Sequence, residues 1–122
     1  METVRIAPTK ITPEVLLESG RISITGRSRP ENSSGFFLPI LKWVEEYTKD
    51  PAPKTECFFK VEYINSASAK CFVDIMRLLE IVHSQGKPVT VVWNYDEVDD
   101  DMRETGEEYR SLFSMNFELV PY

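Results

Sequence analysis

Segments with strand periodicity alternate with segments of helical periodicity along most of the chain, and this alternation restricts the fold more than any other feature. Alternating apolar residues indicate a strand over Glu56–Ile64, and the β-branched and aromatic run Val89–Tyr95 indicates another. Helical spacing of apolar residues predicts helices over Ser33–Lys49 and from the serines after Asn65 to about Gln85. Such alternation places helices against a mixed or largely parallel sheet.

The ends of the chain extend this α/β pattern. Ser19–Gly20 separates two short strand-like runs as a hairpin turn, and the sequence does not say at which edge of the sheet this hairpin lies. The other predicted elements are strands at Val4–Pro8, Val15–Glu18, Arg21–Thr25 and Asn116–Val120, and a third helix that Asp99–Asp101 begin.

Two details of the central elements are also expected. Phe58 and Ile64 give the Glu56–Ile64 strand a second apolar face, which predicts a central strand covered on both sides. Proline is tolerated only in the first turn of a helix or at a kink, so Pro39 predicts that the first helix either begins near Phe37 or bends there.

Length and composition indicate one domain over residues 1–122. A hydrophobic fraction of 42% and a charged fraction of 28% are typical of a globular chain. No apolar run approaches the roughly 20 residues that span a bilayer, and the first residues lack the pattern of a secretory signal. We therefore expect a cytoplasmic protein that does not bind membranes.

The net charge of −6 argues against binding to nucleic acid or anionic lipid, since both require a cationic surface. The charge is also unevenly distributed. Residues 1–30 carry five basic and three acidic side chains, a net charge of +2, so the remaining residues carry −8. A positive sheet edge and an acidic opposite region suit a protein partner better than a polyanion.

No residue pattern indicates catalysis or a cofactor. Cys57 and Cys71 lie among apolar residues and are predicted to pack in the core. His83, the only histidine, has no serine or cysteine placed in sequence so as to suggest a nucleophile–base unit, and it is expected to help neutralise the negative end of the dipole of its helix. The acidic run Asp96–Asp101 lacks the spacing and glycine of an EF-hand, so we expect no metal site there and interpret it as a solvated helix start.

The turn Asn65-Ser66-Ala67-Ser68 is the most informative segment for function. It joins the carboxyl end of the predicted central strand to the start of a helix, where ligands and regulatory groups lie in open α/β sheets. A phosphate on Ser66 would place a charge of about −1.5 to −2 beside the helix amides. From these residues alone two interpretations stay open: the serines only cap the helix, Ser66 or Ser68 being the cap, or one of them carries a regulatory phosphate.

Several segments together resemble the SiaC family of bacterial regulatory phosphoproteins, whose fold is similar to that of STAS anti-sigma-factor antagonists. The resemblance covers roughly residues 5 to 120, and its most specific parts are the Pro30-Glu31-Asn32-Ser33 element and the Asn65–Ser68 turn. The other matching segments include Phe37, Trp43, Tyr47, Tyr63-Ile64, Lys70, Leu79-Glu80, Gly86–Val89, Trp93–Tyr95, Glu104, Gly106-Glu107 and Phe117.

The resemblance implies an α/β, STAS-like mixed β-sheet with about three helices and a non-enzymatic partner switch. From the resemblance we expect a cognate Ser/Thr kinase to phosphorylate the turn and a PP2C-like phosphatase to remove the phosphate. We also expect the unphosphorylated form to bind and activate a target, a diguanylate cyclase in the SiaC group, and thereby to affect biofilm formation. By position the phosphoacceptor is Ser66, with Ser68 as the fallback. The expected partner-binding residues are Asn65, Ser66, Ser68, Pro30, Glu31, Asn32 and Ser33.

This resemblance implies a mechanism in which unmodified Ser66 caps its helix within the partner interface, and phosphate there repels the partner. Three alternatives remain at this point. The switch acts on another target, such as an anti-sigma factor. The chain is a small metal-dependent enzyme that uses the acidic run. The chain is an unmodified structural subunit of an oligomer.

Overall fold

The computed structural model describes all 122 residues and confirms the α/β fold class. Six strands form one sheet in the order of the chain, β1-β2-β3-β4-β5-β6. The strands are β1 (Val4–Ile6), β2 (Glu14–Glu18), β3 (Arg21–Ser28), β4 (Thr55–Ile64), β5 (Val89–Tyr95) and β6 (Asn116–Pro121). The helices are α1 (Ser33–Tyr47), α2 (Ser66–Ser84) and α3 (Asp100–Leu112).

The sheet is mixed because its first three strands are antiparallel and its last four are parallel. The hairpin turn at Ser19–Gly20 is confirmed: Glu18 pairs with Arg21, and Gly20 has a φ of 86°, which a side chain would disfavour. This hairpin places β1 at one edge of the sheet and β3 beside β4. The chain therefore begins at one edge and ends at the other.

All three helices pack on the same face of the sheet. Each parallel strand pair is joined by one helix, and the strands are added in a single direction, so right-handed connections carry every helix to one side. On that side the aromatic ring of Phe59 contacts Phe72 of α2 and Trp93 of β5, with centroid distances of 4.9 and 5.6 Å. Trp93 in turn meets Tyr109 of α3 edge to face. These rings lie in a core of 26 buried residues.

The opposite face of the sheet is not covered, so the expectation that β4 is buried on both sides is wrong. β4 is central in strand order, and Cys57, Phe59 and Val61 on its helix-facing side are buried. On the other side Lys60 is exposed and Phe58 is only half-buried. The guanidinium of Arg21 lies 4.5 Å from the centroid of the Phe58 ring and shields it from water.

Helix α1 begins at Ser33, as its apolar spacing predicts, so a start near Phe37, one of the two alternatives that Pro39 left open, is excluded. The Asn32 side chain caps the helix by accepting a hydrogen bond of 3.1 Å from the Gly35 amide. Pro39 lies inside the helix with its ring exposed. A cap contributes about 1 kcal/mol and an interior proline costs about 3 kcal/mol, so the cap offsets only part of the cost of Pro39.

The sheet order also separates the charges of the chain. The net positive first 30 residues form β1 to β3 at one edge, and acidic α3 packs beside β5 and β6 at the other. Asp99 caps α3 by accepting from the Met102 amide at 3.0 Å, and Asp100 and Asp101 occupy its first turn. None of the three helices has the length and apolar character that crossing a bilayer requires.

Candidate functional site

Asn65 is the single residue between β4 and α2, and it caps the helix. Its backbone is extended, its side-chain Oδ1 accepts a hydrogen bond of 2.8 Å from the Ser68 amide, and its own amide donates to the Ser28 carbonyl at 2.9 Å. The prediction that Ser66 or Ser68 caps the helix is therefore wrong. The amide side chain of Asn65 performs that role, which frees both serine hydroxyls for other contacts.

Ser66 is the first residue of α2 and is exposed to solvent. Its hydroxyl makes no hydrogen bond within the chain, and the hydrogen bonds of the turn start at the Ser68 amide. The amides of Ser66 and Ala67 therefore remain unpaired at the positive end of the helix dipole. An anion attached to the Ser66 hydroxyl lies beside these donors.

Ser68 has the opposite environment. Its residue is fully buried, and its hydroxyl accepts a hydrogen bond of 2.9 Å from the equally buried hydroxyl of Ser28. The Ser33 hydroxyl lies 3.4 Å from the same oxygen. We refer to Ser28, Ser33 and Ser68 as the buried serine cluster. A phosphate on Ser68 requires this cluster to open, whereas one on Ser66 does not.

The Pro30–Ser33 element lies directly against the turn. The Pro30 carbonyl accepts hydrogen bonds of 3.5 Å from the Ser33 hydroxyl and from Asn65 Nδ2. Pro30 and Ser33 are buried, while Glu31 and Asn32 are exposed. The structure thus brings all seven predicted site residues together, but only Ser66, Glu31 and Asn32 offer well-exposed side chains. Ser28 also joins this group through its hydrogen bond to Ser68, although no feature of the sequence pointed to it.

A groove of about 540 Å³ runs between α1 and α2 next to the turn. Its apolar walls include Leu38, whose side chain is exposed, and Leu41, and its polar walls include Lys70 and Asp74. The groove begins at Ala67, beside Ser66. A partner that contacts the turn therefore meets mixed apolar and charged surface on the same side of the molecule.

The remaining candidates are the two cysteines, His83 and the acidic run. Cys57 and Cys71 are buried, free thiols, as predicted, and burial raises the pKa of each, so neither is poised to act as a nucleophile. His83 lies in the last turn of α2, where a cation complements the helix dipole. Nowhere do three histidine, cysteine, aspartate or glutamate side chains converge in a group able to hold a metal ion.

Comparison with known proteins identifies the family of the chain. The model of the SiaC family, described as a regulatory phosphoprotein family, matches residues 6–122. The chain belongs to the SiaC family. An uncharacterized protein of Pseudomonas aeruginosa (strain UCBPP-PA14) is 35% identical over 121 residues, which is 98% of this chain and 96% of that protein.

Solved SiaC structures share the fold closely. SiaC of Pseudomonas aeruginosa superposes with a TM-score of 0.91 at 34% identity over the whole of both chains. Its apo form gives a TM-score of 0.89 at 34% identity, covering 98% of this chain and 99% of that one. A third structure contains the diguanylate cyclase SiaD of that organism in complex with its activator SiaC, which matches with a TM-score of 0.88 at 33% identity, covering 98% of this chain and 99% of that one.

Proposed function

We propose that this SiaC-family chain is a non-enzymatic switch of the cytoplasm whose phosphorylation at Ser66 controls binding to a diguanylate cyclase. The exposed Ser66 hydroxyl, free of any internal hydrogen bond at the start of α2, is the observation that carries the proposal. The related SiaC is an activator found in complex with a diguanylate cyclase, which supports the same kind of target here.

In this proposal the unphosphorylated chain binds and activates the cyclase through the surface around the turn. Ser66, Glu31 and Asn32 contact the partner, because their side chains are exposed on one side of the molecule. The partner extends over the groove between α1 and α2, where Leu38 supplies apolar area. Asn65 and the buried serine cluster hold this surface in place from beneath.

Phosphate on Ser66 ends the complex by changing the surface and leaving the fold intact. The group adds a charge of about −1.5 to −2 at the centre of the contact, where a partner has to desolvate it. The unpaired amides of Ser66 and Ala67 stabilise that charge in the free protein. The phosphorylated protein is therefore more stable free than bound to the partner, and the extent of phosphorylation sets the ratio of bound to free protein.

A cognate Ser/Thr kinase adds the phosphate and a PP2C-like phosphatase removes it, so that cyclic di-GMP production and biofilm formation follow the balance of the two enzymes. Ser66 is preferred to Ser68 because a kinase has to reach the hydroxyl, and Ser68 is fully buried. No structural feature favours an anti-sigma factor as target over a cyclase, and none favours the acidic run as an enzyme site.

The test is activation of the diguanylate cyclase encoded by the same organism, measured as cyclic di-GMP formed by the purified enzyme with added switch protein. We expect Ser66→Ala to activate as the unmodified chain does, and Ser66→Glu to reduce the apparent affinity by tenfold or more. Ser84→Glu adds the same charge at the far, exposed end of α2 and serves as the matched control.

Equal activation by the Ser66→Glu and Ser84→Glu variants would contradict control of binding at Ser66. No activation by the unmodified chain, with binding to a different protein recovered from the host, would move the target away from a cyclase. Circular dichroism of each variant confirms that the comparison is made between folded proteins.

A further inference from the structure

A cluster of basic side chains lies beside the turn and has no role in the proposed switch. A depression of about 350 Å³ at the end of β3 is lined by five residues, none of them apolar: Thr9, Lys10, Gly26, Arg27 and Arg29. The three cationic side chains are exposed. We call Lys10, Arg27 and Arg29 the basic cluster. It accounts for three of the five positive charges among residues 1–30.

The backbone that carries the basic cluster is held by hydrogen bonds. The Thr9 hydroxyl accepts from the amides of Ile11 and Thr12, at 3.2 and 2.9 Å, and lies 2.6 Å from the Thr12 hydroxyl. The Arg29 amide donates to the Ile11 carbonyl at 2.8 Å and fastens this loop to the end of β3. The backbone that carries Lys10 and Arg29 is thus fixed without a ligand, so binding has to order only the two side chains.

The third cation, Arg27, lies at a β-bulge. The register between β3 and β4 shifts at Gly26/Arg27, where Gly26 adopts a φ of 119° that favours glycine. Arg27 Nε lies 3.4 Å from Glu62 Oε2, but both side chains are more than half exposed, so this pair is weak and Arg27 can exchange partners. The Arg29 guanidinium lies 6.0 Å from the Tyr63 ring centroid, so the aromatic face supports it without neutralising it.

The basic cluster is adjacent to the phosphoacceptor turn. The Asn65 amide donates to the carbonyl of Ser28, the residue between Arg27 and Arg29, and neighbouring strands lie about 4.8 Å apart. On the other side of the turn, Asp99 and Asp101 border a second depression together with Tyr63. Ser66 therefore sits at the end of the sheet between a positive and a negative surface.

We infer that the basic cluster is a docking site for an acidic segment of a protein partner. Carboxylates are suited to it because two arginines offer paired N–H donors and Lys10 a third charge in one small depression. A nucleic acid or a lipid surface extends far beyond three cations, and it would meet the acidic start of α3 in a chain of net charge −6. The geometry favours a short acidic segment.

The inference adds a second effect to the proposed phosphorylation and, in that respect, rests on the proposed function. A phosphate on Ser66 adds a charge of about −1.5 to −2 to the turn, and the Asn65 amide of this turn donates to the carbonyl of Ser28, the residue before Arg29. It thus competes with the carboxylates of the partner for the same cations. Phosphorylation then weakens the acidic contact as well as the contact at the turn.

The test uses the unmodified chain labelled with ¹⁵N and an acetylated, amidated hexaglutamate peptide as the probe, so neither a cyclase nor phosphorylation is needed. We expect saturable shifts of the Lys10, Arg27 and Arg29 amide signals. The Lys10→Glu/Arg29→Glu variant should weaken binding more than tenfold. The control, Lys42→Glu/Arg77→Glu, makes the same charge change at exposed positions on the helices and should weaken it less than threefold.

Absence of saturable shifts at these amides, or equal losses in both double variants, would overturn the inference and leave the proposed switch untouched. Tighter binding of heparin or phosphatidylserine vesicles than of hexaglutamate at the same amides would overturn the assignment to an acidic protein segment. The spectrum of each variant reports its folding, and Lys10→Gln/Arg29→Gln replaces the charge-reversed variant if the latter does not fold.

Discussion

Two substitutions that add the same charge two residues apart are expected to have opposite effects on stability. Ser66→Asp puts a carboxylate at the exposed first position of α2, where the helix dipole and two unpaired amides favour it. A charge placed there stabilises by about 0.3–1 kcal/mol. Ser68→Asp puts the same group in the fully buried serine cluster, among hydroxyls that supply no compensating cation.

The cost of Ser68→Asp has two parts. Loss of the hydrogen bond from Ser28 removes about 1 kcal/mol. An uncompensated buried charge costs several kcal/mol more, about 3 kcal/mol as a lower bound. A chain of this size has an unfolding entropy of roughly 0.26 kcal/mol/K. A total of about 4 kcal/mol therefore lowers Tm by about 15 °C, whereas Ser66→Asp should raise it by about 1–4 °C.

The assay is thermal unfolding followed by circular dichroism at pH 7, where both introduced carboxylates would be ionised in water. Ser68→Asn serves as the control that has the size of aspartate without its charge, and it should lose less than Ser68→Asp. Equal Tm values for Ser66→Asp and Ser68→Asp would refute the distinction between an exposed and a buried serine, and with it the preference for Ser66 as phosphoacceptor.

Two further predictions concern the core. A Cβ at Gly106 would lie 2.4 Å from Trp93 Cδ1 and 2.7 Å from Leu119 Cδ2. Gly106→Ala should therefore lower the free energy of unfolding in urea by about 1–2 kcal/mol, because overpacking outweighs the better helix propensity of alanine. A gain in stability would contradict this prediction. Burial, with Glu108 adding to it, raises the pKa of Tyr109 to about 12. The unfolded chain loses the Tyr109 proton at a lower pH than the folded chain does, so the free energy of unfolding should fall between pH 10 and 12. This fall adds to the one that buried Cys57 causes from about pH 9. Tyr109→Phe should remove the fall between pH 10 and 12, and an unchanged pH profile for that variant would contradict the assignment of this fall to Tyr109.

Most helices and strands of the fold can be predicted from the periodic spacing of apolar residues. The bounds of β5 agree with the prediction, and α2 buries the predicted stripe of Phe72, Ile75, Met76, Leu79 and Val82. These segments have clear apolar patterns because one side of each faces the core, so local sequence and tertiary packing point to the same structure.

The open face of the sheet was not readable in this way. Phe58 is apolar, and apolarity alone predicts a covering layer. In the structure its ring is shielded by the guanidinium of Arg21, which comes from the neighbouring strand. The strand order of the sheet decides that Arg21 lies beside Phe58. The same strand order decides that all three helices lie on one side of the sheet. Neither is encoded in the local pattern of β4.

The candidate site shows the same division. The position of the turn between strand and helix is predictable, because the change of period from two to 3.6 occurs at Asn65. Which residue caps the helix cannot be predicted, since asparagine and serine both suit that role. The partnership of Ser28 with Ser68 spans 40 residues, and it exists only because β3 ends beside the start of α2. Contacts of this kind require the assembled sheet.

Control through Ser66 is most directly tested by mass spectrometry of the protein purified from its native host with phosphatases inhibited. The tryptic peptide Val61–Lys70 contains both candidate serines. We predict one phosphate on this peptide, assigned by fragmentation to Ser66 and absent in a Ser66→Ala strain, whose Ser68 is intact. Phosphate on Ser68 alone would contradict the role of the exposed hydroxyl. An unmodified peptide under every growth condition would contradict the switch itself.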